Sequence, residues 1–152
     1  MKGWRIVKRS LAEGAFTGEG ARLYGGRWNS PGRPVVYLGG SPGIAALEVL
    51  AHNARPALLS AKFVIIEVTL PPGSVLNLDA TNLPEGWNDP DDHSLAAAIG
   101  DAWLDSGDSL ALRVPSAVLP LERNLVVNVQ HPQFGEVATA VPQAFAFDPR
   151  LR

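Results

Sequence analysis

The chain has 152 residues, of which 46% are hydrophobic, 18% are charged and none is cysteine. This length and composition predict one folded domain, residues 1–152, with a core of its own. The lack of cysteine excludes disulfides, thiolate catalysis and cysteine-ligated zinc. The net charge of −2 argues against direct nucleic-acid binding, for which a strongly basic surface is typical.

The start of the chain gives no sign of export or membrane insertion. Its first residues, Met-Lys-Gly-Trp-Arg, are not followed by the apolar segment of a signal peptide. No stretch approaches the roughly 18 apolar residues that would span a bilayer. These features predict a cytoplasmic protein without membrane contact. The four cations near the start are interpreted as solvated charges on an exposed strand edge: Lys2, Arg5, Lys8 and Arg9.

Short apolar runs separated by turn residues predict the strands. They cover residues 4–7, 35–38, 63–70, 75–78, 110–114, 125–129 and 144–147. Residues 12–34 are rich in glycine and only weakly periodic, which predicts a long loop, and loops of that length are often functional.

Two main helices are predicted between these strands. Ser41-Pro42 is a typical helix start, with serine as the cap and proline in the first turn, and that helix should end near residue 53 or 54. The second should begin at Asp92 or Ser94 and end before Gly107. Six or seven short strands with two main helices predict an α+β domain with a mixed or antiparallel sheet core.

Four residues form a candidate site. Arg27 follows Gly25-Gly26, and a guanidinium after a glycine turn suits phosphate binding, although a surface arginine is the commoner interpretation. Tyr37 lies in an apolar strand, where a core tyrosine and a ligand-stacking ring are both possible. Glu48 falls on the shoulder of an apolar helix face, where it could be a solvated edge residue, pair with His52 or Arg55, or face a cleft.

The fourth residue is Ser116, which follows a proline and would ordinarily be a turn residue. As a set, the arginine, tyrosine, glutamate and serine suit a negatively charged substrate with an aromatic head group on which positive charge develops. NAD is the candidate. The three histidines are scattered without metal-ligand spacing, so no metal is expected. The acidic residues 89–92 are interpreted as a turn rather than a cation site. No glycine pattern of a dinucleotide-binding or P-loop site occurs.

Taken together, the chain resembles the RES domain family, which is named for its arginine, glutamate and serine. The matching stretches follow the family's order over nearly the whole chain: residues 25–29, 34–37, 45–48, 99–104, 114–117, 122–124, 128 and 131–132.

The resemblance implies an ADP-ribosyltransferase-like fold and a toxin of a bacterial toxin–antitoxin pair that consumes NAD. Its partner would be an antitoxin with a helix-turn-helix, Xre-like domain. By position, Arg27 would hold the NAD phosphates, Tyr37 would pack against the nicotinamide-ribose end and Glu48 would be the catalytic carboxylate. Ser116 would hydrogen-bond near Glu48 or the nicotinamide. The neighbouring Trp28 and Asn29 are assigned to NAD binding, and Arg27 and Tyr37 are placed with Glu48 in the catalytic set.

The acceptor of the ADP-ribose group stays open at this stage. It could be a protein, water or phosphate. The competing interpretation is a non-catalytic protein-binding module on the same fold, in which Arg27 and Glu48 form a structural ion pair.

Overall fold

The computed structural model describes residues 1–151, and its centre is one mixed sheet of eight strands. The strands are β1 (Lys2–Lys8), β2 (Val35–Gly39), β3 (Phe63–Thr69), β4 (Val75–Asn77), β5 (Ala111–Pro115), β6 (Arg123–Asn128), β7 (Ala138–Thr139) and β8 (Gln143–Phe145). Their order is β4-β5-β6-β2-β1-β3-β7, with β8 also paired to β3. Only β4 and β5 run parallel. The predicted α+β class with a mixed sheet is therefore confirmed.

Within residues 1–151, four α-helices accompany the sheet: α1 (Glu19–Tyr24), α2 (Pro42–His52), α3 (Arg55–Ser60) and α4 (Ser94–Ser106). Short 3-10 turns occupy Arg9–Leu11, Ala80–Asn82 and Pro132–Glu136. Helix α2 begins as predicted, because the Ser41 hydroxyl accepts a hydrogen bond from the Ile44 N–H at 3.2 Å. Helix α4 ends at Gly107, whose φ of +64° suits glycine. Among the described residues, no helix has the length and hydropathy needed to cross a membrane.

The predicted structureless loop over residues 12–34 is wrong in part, because it contains α1. The Thr17 hydroxyl accepts a hydrogen bond from the Glu19 N–H at the start of this helix. Glu19 then pairs with Arg22 one turn later. These contacts offset the destabilising effect of the glycine within the helix. The same glycine weakens any periodic pattern in the sequence.

The alternation of side chains along β2 decides what reaches each face of the sheet. Val36 and Leu38 belong to one hydrophobic cluster, whereas Val35 belongs to a second cluster on which Tyr37 also packs. Successive residues of a strand point to opposite faces, so this register places Tyr37 on the face that also carries Trp28.

Helix α4 fixes the glycine-rich segment over that face. Asp101 accepts hydrogen bonds from the Ser30 N–H at 3.0 Å and from the Ser30 hydroxyl. Gly100 permits the close approach, because a Cβ there would lie 1.7 Å from the carbonyl oxygen of Trp28. The segment that carries Arg27 is therefore fastened to a rigid helix.

Candidate functional site

A cleft of about 790 Å³ lies between the glycine-rich segment, strands β1 and β2, helix α2 and the start of α4. Arg27, Tyr37 and Glu48 all line it, together with two residues that were not predicted to belong to the site, Arg5 and Asn124. The volume falls within the range of roughly 300–1,000 Å³ that is typical of small-molecule and cofactor sites.

The Glu48 carboxylate is held from one side. Its Oε1 atom accepts hydrogen bonds from the Ser116 hydroxyl at 2.6 Å and from Asn124 Nδ2 at 2.7 Å. Within residues 1–151, Oε2 has no such partner. The predicted pairs of Glu48 with His52 and with Arg55 are wrong, since the His52 ring hydrogen-bonds the Glu48 backbone carbonyl and Arg55, in α3, donates to the Pro149 carbonyl. One oxygen is therefore fixed by the protein, and the other remains available to a molecule in the cleft.

The hydrogen bonds of Ser116 fix the direction of its hydroxyl. Its oxygen accepts from the N–H groups of Val118 and Leu119, both at 3.1 Å. The single hydroxyl proton is therefore donated to Glu48. Ser116 is 0% exposed, so its assignment as a direct NAD-binding residue is not supported by the geometry. Its place beneath Glu48 indicates that it positions the carboxylate instead.

Arg27 reaches the cleft as a partly anchored cation. Its Nη1 atom donates to the backbone carbonyls of Trp87 and Asp89, both at 3.0 Å. Burial lowers the pKa of Arg27, and the nearby charges of Glu48 and Asp89 partly offset that effect. A guanidinium stays charged in proteins, and Arg27 uses only Nη1 in hydrogen bonds within the described chain.

No ion pair within 4.0 Å joins Arg27 to a carboxylate anywhere in residues 1–151. The four ion pairs found there are Lys2–Glu67, Arg22–Glu19, Arg33–Asp105 and Arg150–Asp148. The interpretation of Arg27 and Glu48 as a structural ion pair is therefore wrong. The two opposite charges face the same cleft without neutralising each other through direct contact.

Tyr37 joins the sheet to the glycine-rich segment through its hydroxyl. The hydroxyl donates to Asn29 Oδ1 at 2.6 Å and accepts from the Trp28 N–H at 3.0 Å. Burial raises the pKa of Tyr37, so the phenol stays protonated at neutral pH. Because the hydroxyl is already engaged, Tyr37 offers the cleft a ring surface rather than an acid or base.

The side chains of Trp28 and Asn29 support the segment from below. Trp28 is 2% exposed and packs beside Trp87, with 5.7 Å between the ring centroids. Asn29 is 1% exposed, and its amide nitrogen donates to the carbonyls of Ala21, Ser30 and Arg33. Both residues line the cleft although little of either is exposed, and their assignment to NAD binding stays a prediction. They shape the turn that presents Arg27.

Arg5 is the cation that the sequence analysis placed wrongly. It lies in β1, which pairs with β2 on one side and β3 on the other, so it is not on an exposed edge. Its Nη1 atom donates to the Tyr37 carbonyl at 3.1 Å, while Nε is buried without a partner in the described chain. Burial lowers its pKa. The sequence feature that could have indicated this position is an arginine flanked by Trp4 and Ile6 in an apolar strand.

Chemically, the cleft combines two cations, an aromatic ring and one oriented carboxylate. Arg27 and Arg5 suit an anion such as a phosphate, because guanidinium groups form charge-assisted hydrogen bonds to phosphate oxygens. Glu48 suits a centre that becomes positively charged during a reaction. Across residues 1–151, no three histidine or acidic side chains are grouped closely enough to hold a metal ion.

Comparison with known proteins gives one family. The sequence model of the RES domain matches residues 2–148. "Toxin Res" of Yersinia enterocolitica is 37% identical over 150 residues, which cover 98% of each chain. "Prs ADP-ribosylating toxin" of Sphingobium sp. is 29% identical over 97% of this chain and 94% of that protein. The crystal structure of the M. tuberculosis MbcT–MbcA toxin–antitoxin complex contains a similar chain, with a TM-score of 0.79 and 26% identity over 99% of this chain and 85% of the other.

Proposed function

Because this chain belongs to the RES domain family, we propose that it is the toxin of a toxin–antitoxin pair and that it cleaves the nicotinamide–ribose bond of NAD. The observation that carries the proposal is the Glu48 carboxylate. It lines a cofactor-sized cleft with one oxygen held by Ser116 and Asn124, and it makes no ion pair with Arg27. The name of the Sphingobium relative, an ADP-ribosylating toxin, supports NAD as the substrate.

In this mechanism the bond between the ribose anomeric carbon and the pyridinium nitrogen breaks, and its electron pair stays with nicotinamide. Nicotinamide leaves as a neutral molecule, so no acid is needed to protonate it. The ribose acquires oxocarbenium-like positive charge, as in glycoside cleavage. Glu48 stabilises this charge, and its effect is large because hydrogen bonds already hold the carboxylate in place.

The other residues bind and orient the substrate. Arg27 holds the pyrophosphate through the guanidinium nitrogens that the protein leaves available, and Arg5 adds a second positive charge. The Tyr37 ring packs against the nicotinamide-ribose end. Ser116 and Asn124 keep the Glu48 carboxylate oriented and contribute through it.

The ADP-ribose group then passes to a nucleophile. The name of the Sphingobium relative favours a protein acceptor. Transfer to water or to phosphate would deplete NAD without modifying a protein. In each case the acceptor oxygen or nitrogen bonds to the anomeric carbon and loses its proton to solvent or a nearby base.

The proposed partner is an antitoxin with a helix-turn-helix, Xre-like domain, and the proposed place of action is the cytoplasm. The similarity to the toxin chain of the M. tuberculosis complex supports the antitoxin. The proposal includes no metal and no direct contact with nucleic acid or membrane.

The test is product analysis with purified protein and NAD in phosphate buffer, with and without a dialysed bacterial protein extract, beside reactions that lack the purified protein. Chromatography should show free nicotinamide, and mass spectrometry should show an equal amount of ADP-ribose on a protein, on phosphate or as the free sugar. A matched control is Glu67→Gln, which removes an exposed carboxylate outside the cleft and should leave the rate unchanged. NAD that is consumed no faster with the folded protein than without it, when all three acceptors are present, would refute the proposal.

A further inference from the structure

One atom of the cleft has a hydrogen-bonding capacity that the described chain does not use. Asn124 lies in β6, and its Nδ2 atom donates to Glu48 Oε1 at 2.7 Å. A carboxylate oxygen can only accept at this site, so the nitrogen of the amide must face Glu48 and its oxygen must face away. That oxygen, Oδ1, is buried and has no hydrogen-bond partner within residues 1–151.

A second asparagine of the same strand shows the contrast. Asn128 is also buried, and its Oδ1 atom accepts a hydrogen bond from the Gln130 N–H at 3.0 Å. Asn128 does not line the cleft, whereas Asn124 does. Buried acceptors are normally satisfied, because an unpaired one loses its hydration without compensation. The unused acceptor of β6 therefore belongs to the asparagine that lines the cleft and holds the proposed catalytic carboxylate.

We propose that Asn124 is a specificity-determining residue whose Oδ1 atom accepts a hydrogen bond from an N–H or O–H of the substrate at the bond that breaks. This inference rests on the proposed function, because Glu48 marks the reacting end of the substrate only if NAD is cleaved beside it. Two groups at that end of NAD carry such donors, the carboxamide of nicotinamide and the hydroxyls of its ribose. The same amide thus holds Glu48 with its nitrogen and recognises the substrate with its oxygen.

The test compares kcat/KM for NAD with that for two analogues. In one, a methyl ketone replaces the nicotinamide carboxamide, so the N–H donor is lost. The other lacks the 2′-hydroxyl of the nicotinamide ribose. For each protein we take the ratio of kcat/KM for NAD to kcat/KM for the analogue. Comparing this ratio between wild type and Asn124→Ala cancels the intrinsic reactivity of each analogue. We expect the wild-type protein to disfavour one analogue by about tenfold more than the variant does, the effect of one hydrogen bond. The analogue affected identifies the donor.

Two further variants keep the test decisive. Asn128→Ala should lower thermal stability yet retain the wild-type ratios, because Asn128 lies outside the cleft. Ser116→Ala removes the other hydrogen bond to Glu48 Oε1 and keeps Asn124, so it should lower kcat while preserving the discrimination between substrates. The inference is overturned if Asn124→Ala, or Asn124→Ser should the alanine variant not fold, discriminates as well as wild type. Loss of the discrimination in Ser116→Ala would overturn it as well. A wild-type protein that releases no nicotinamide from NAD would overturn the proposed function and this inference together.

Discussion

Replacing Glu48 with glutamine removes the negative charge of the cleft carboxylate with almost no change in shape. The amide oxygen of glutamine can still accept the hydrogen bonds that Ser116 and Asn124 donate to Glu48 Oε1. The hydrogen-bond network around residue 48 should therefore persist. We expect Glu48→Gln to unfold within a few degrees of the wild-type melting temperature.

The effect on catalysis follows from electrostatics. Two unit charges 4 Å apart interact by about 4 kcal/mol at an effective dielectric constant of about 20. If the carboxylate faces a fully developed oxocarbenium charge at that distance, its loss lowers the rate by about 10³-fold. We expect the loss to fall mainly on kcat, because the positive charge on the ribose develops as the bond breaks.

The assay is the initial rate of nicotinamide release, measured beside a thermal melt of the same preparation. Glu67→Gln is the matched control, since it makes the same chemical change at an exposed carboxylate on β3. A Glu48→Gln protein that retains turnover within tenfold of wild type would refute the electrostatic role of Glu48. A large loss of melting temperature would instead indicate that the carboxylate is needed for folding.

Four other substitutions probe the rest of the site. Arg27→Lys should weaken NAD binding by about tenfold to a hundredfold in calorimetric titration, because lysine lacks the planar fork of donors; unchanged affinity would make Arg27 structural. Ser116→Ala leaves two backbone N–H groups without their acceptor and should lower the free energy of unfolding, measured in urea, by roughly 2 kcal/mol. Nicotinamide release should also fall by about tenfold. An unchanged free energy of unfolding together with an unchanged rate would contradict the hydrogen-bond assignment. Burial raises the pKa of Tyr37 in the folded protein, so its contribution to stability is present below about pH 10 and is lost as the pH rises further. Between pH 8 and pH 11, the free energy of unfolding in urea should therefore fall more in wild type than in Tyr37→Phe. Equal falls in the two proteins would refute the burial effect. Gly100→Ala should destabilise the fold by roughly 1–3 kcal/mol and weaken NAD binding, because its Cβ collides with the Trp28 carbonyl; a normal melting temperature would show that the segment shifts freely.

Features with a local cause could be predicted from the sequence. The start of α2 depends on Ser41 and Pro42, and the helix that follows places Glu48 on the edge of its apolar face. The apolar run of β2 likewise predicts a buried strand with Tyr37 in it. These assignments need only the preferences of neighbouring residues and the periods of helix and strand.

The assembly of the cleft could not be predicted in the same way. Asn124 donates to Glu48 across 76 positions of sequence, and no spacing rule connects them. Arg5 was assigned to a solvated edge because sequence alone does not reveal that β1 is flanked by strands on both sides. Only the strand order shows that its charge is buried.

The glycine-rich segment shows a third kind of limit. Its motif singles out Arg27 correctly as a residue that lines the cleft, but it does not show how little of the two neighbouring residues is exposed there. Trp28 and Asn29 follow Arg27 directly, yet both are buried beneath the turn. That difference depends on the packing of Trp87 and on the hydrogen bond from the Tyr37 hydroxyl, which are made by distant parts of the chain.

The most direct test of the central claim is a crystal structure of the Glu48→Gln protein with intact NAD bound. The account predicts that the pyrophosphate contacts the Arg27 guanidinium, that the nicotinamide-ribose end packs on the Tyr37 ring, and that the scissile carbon–nitrogen bond lies beside the side chain at position 48. NAD bound outside this cleft, or bound in it with the pyrophosphate beside position 48, would contradict the account.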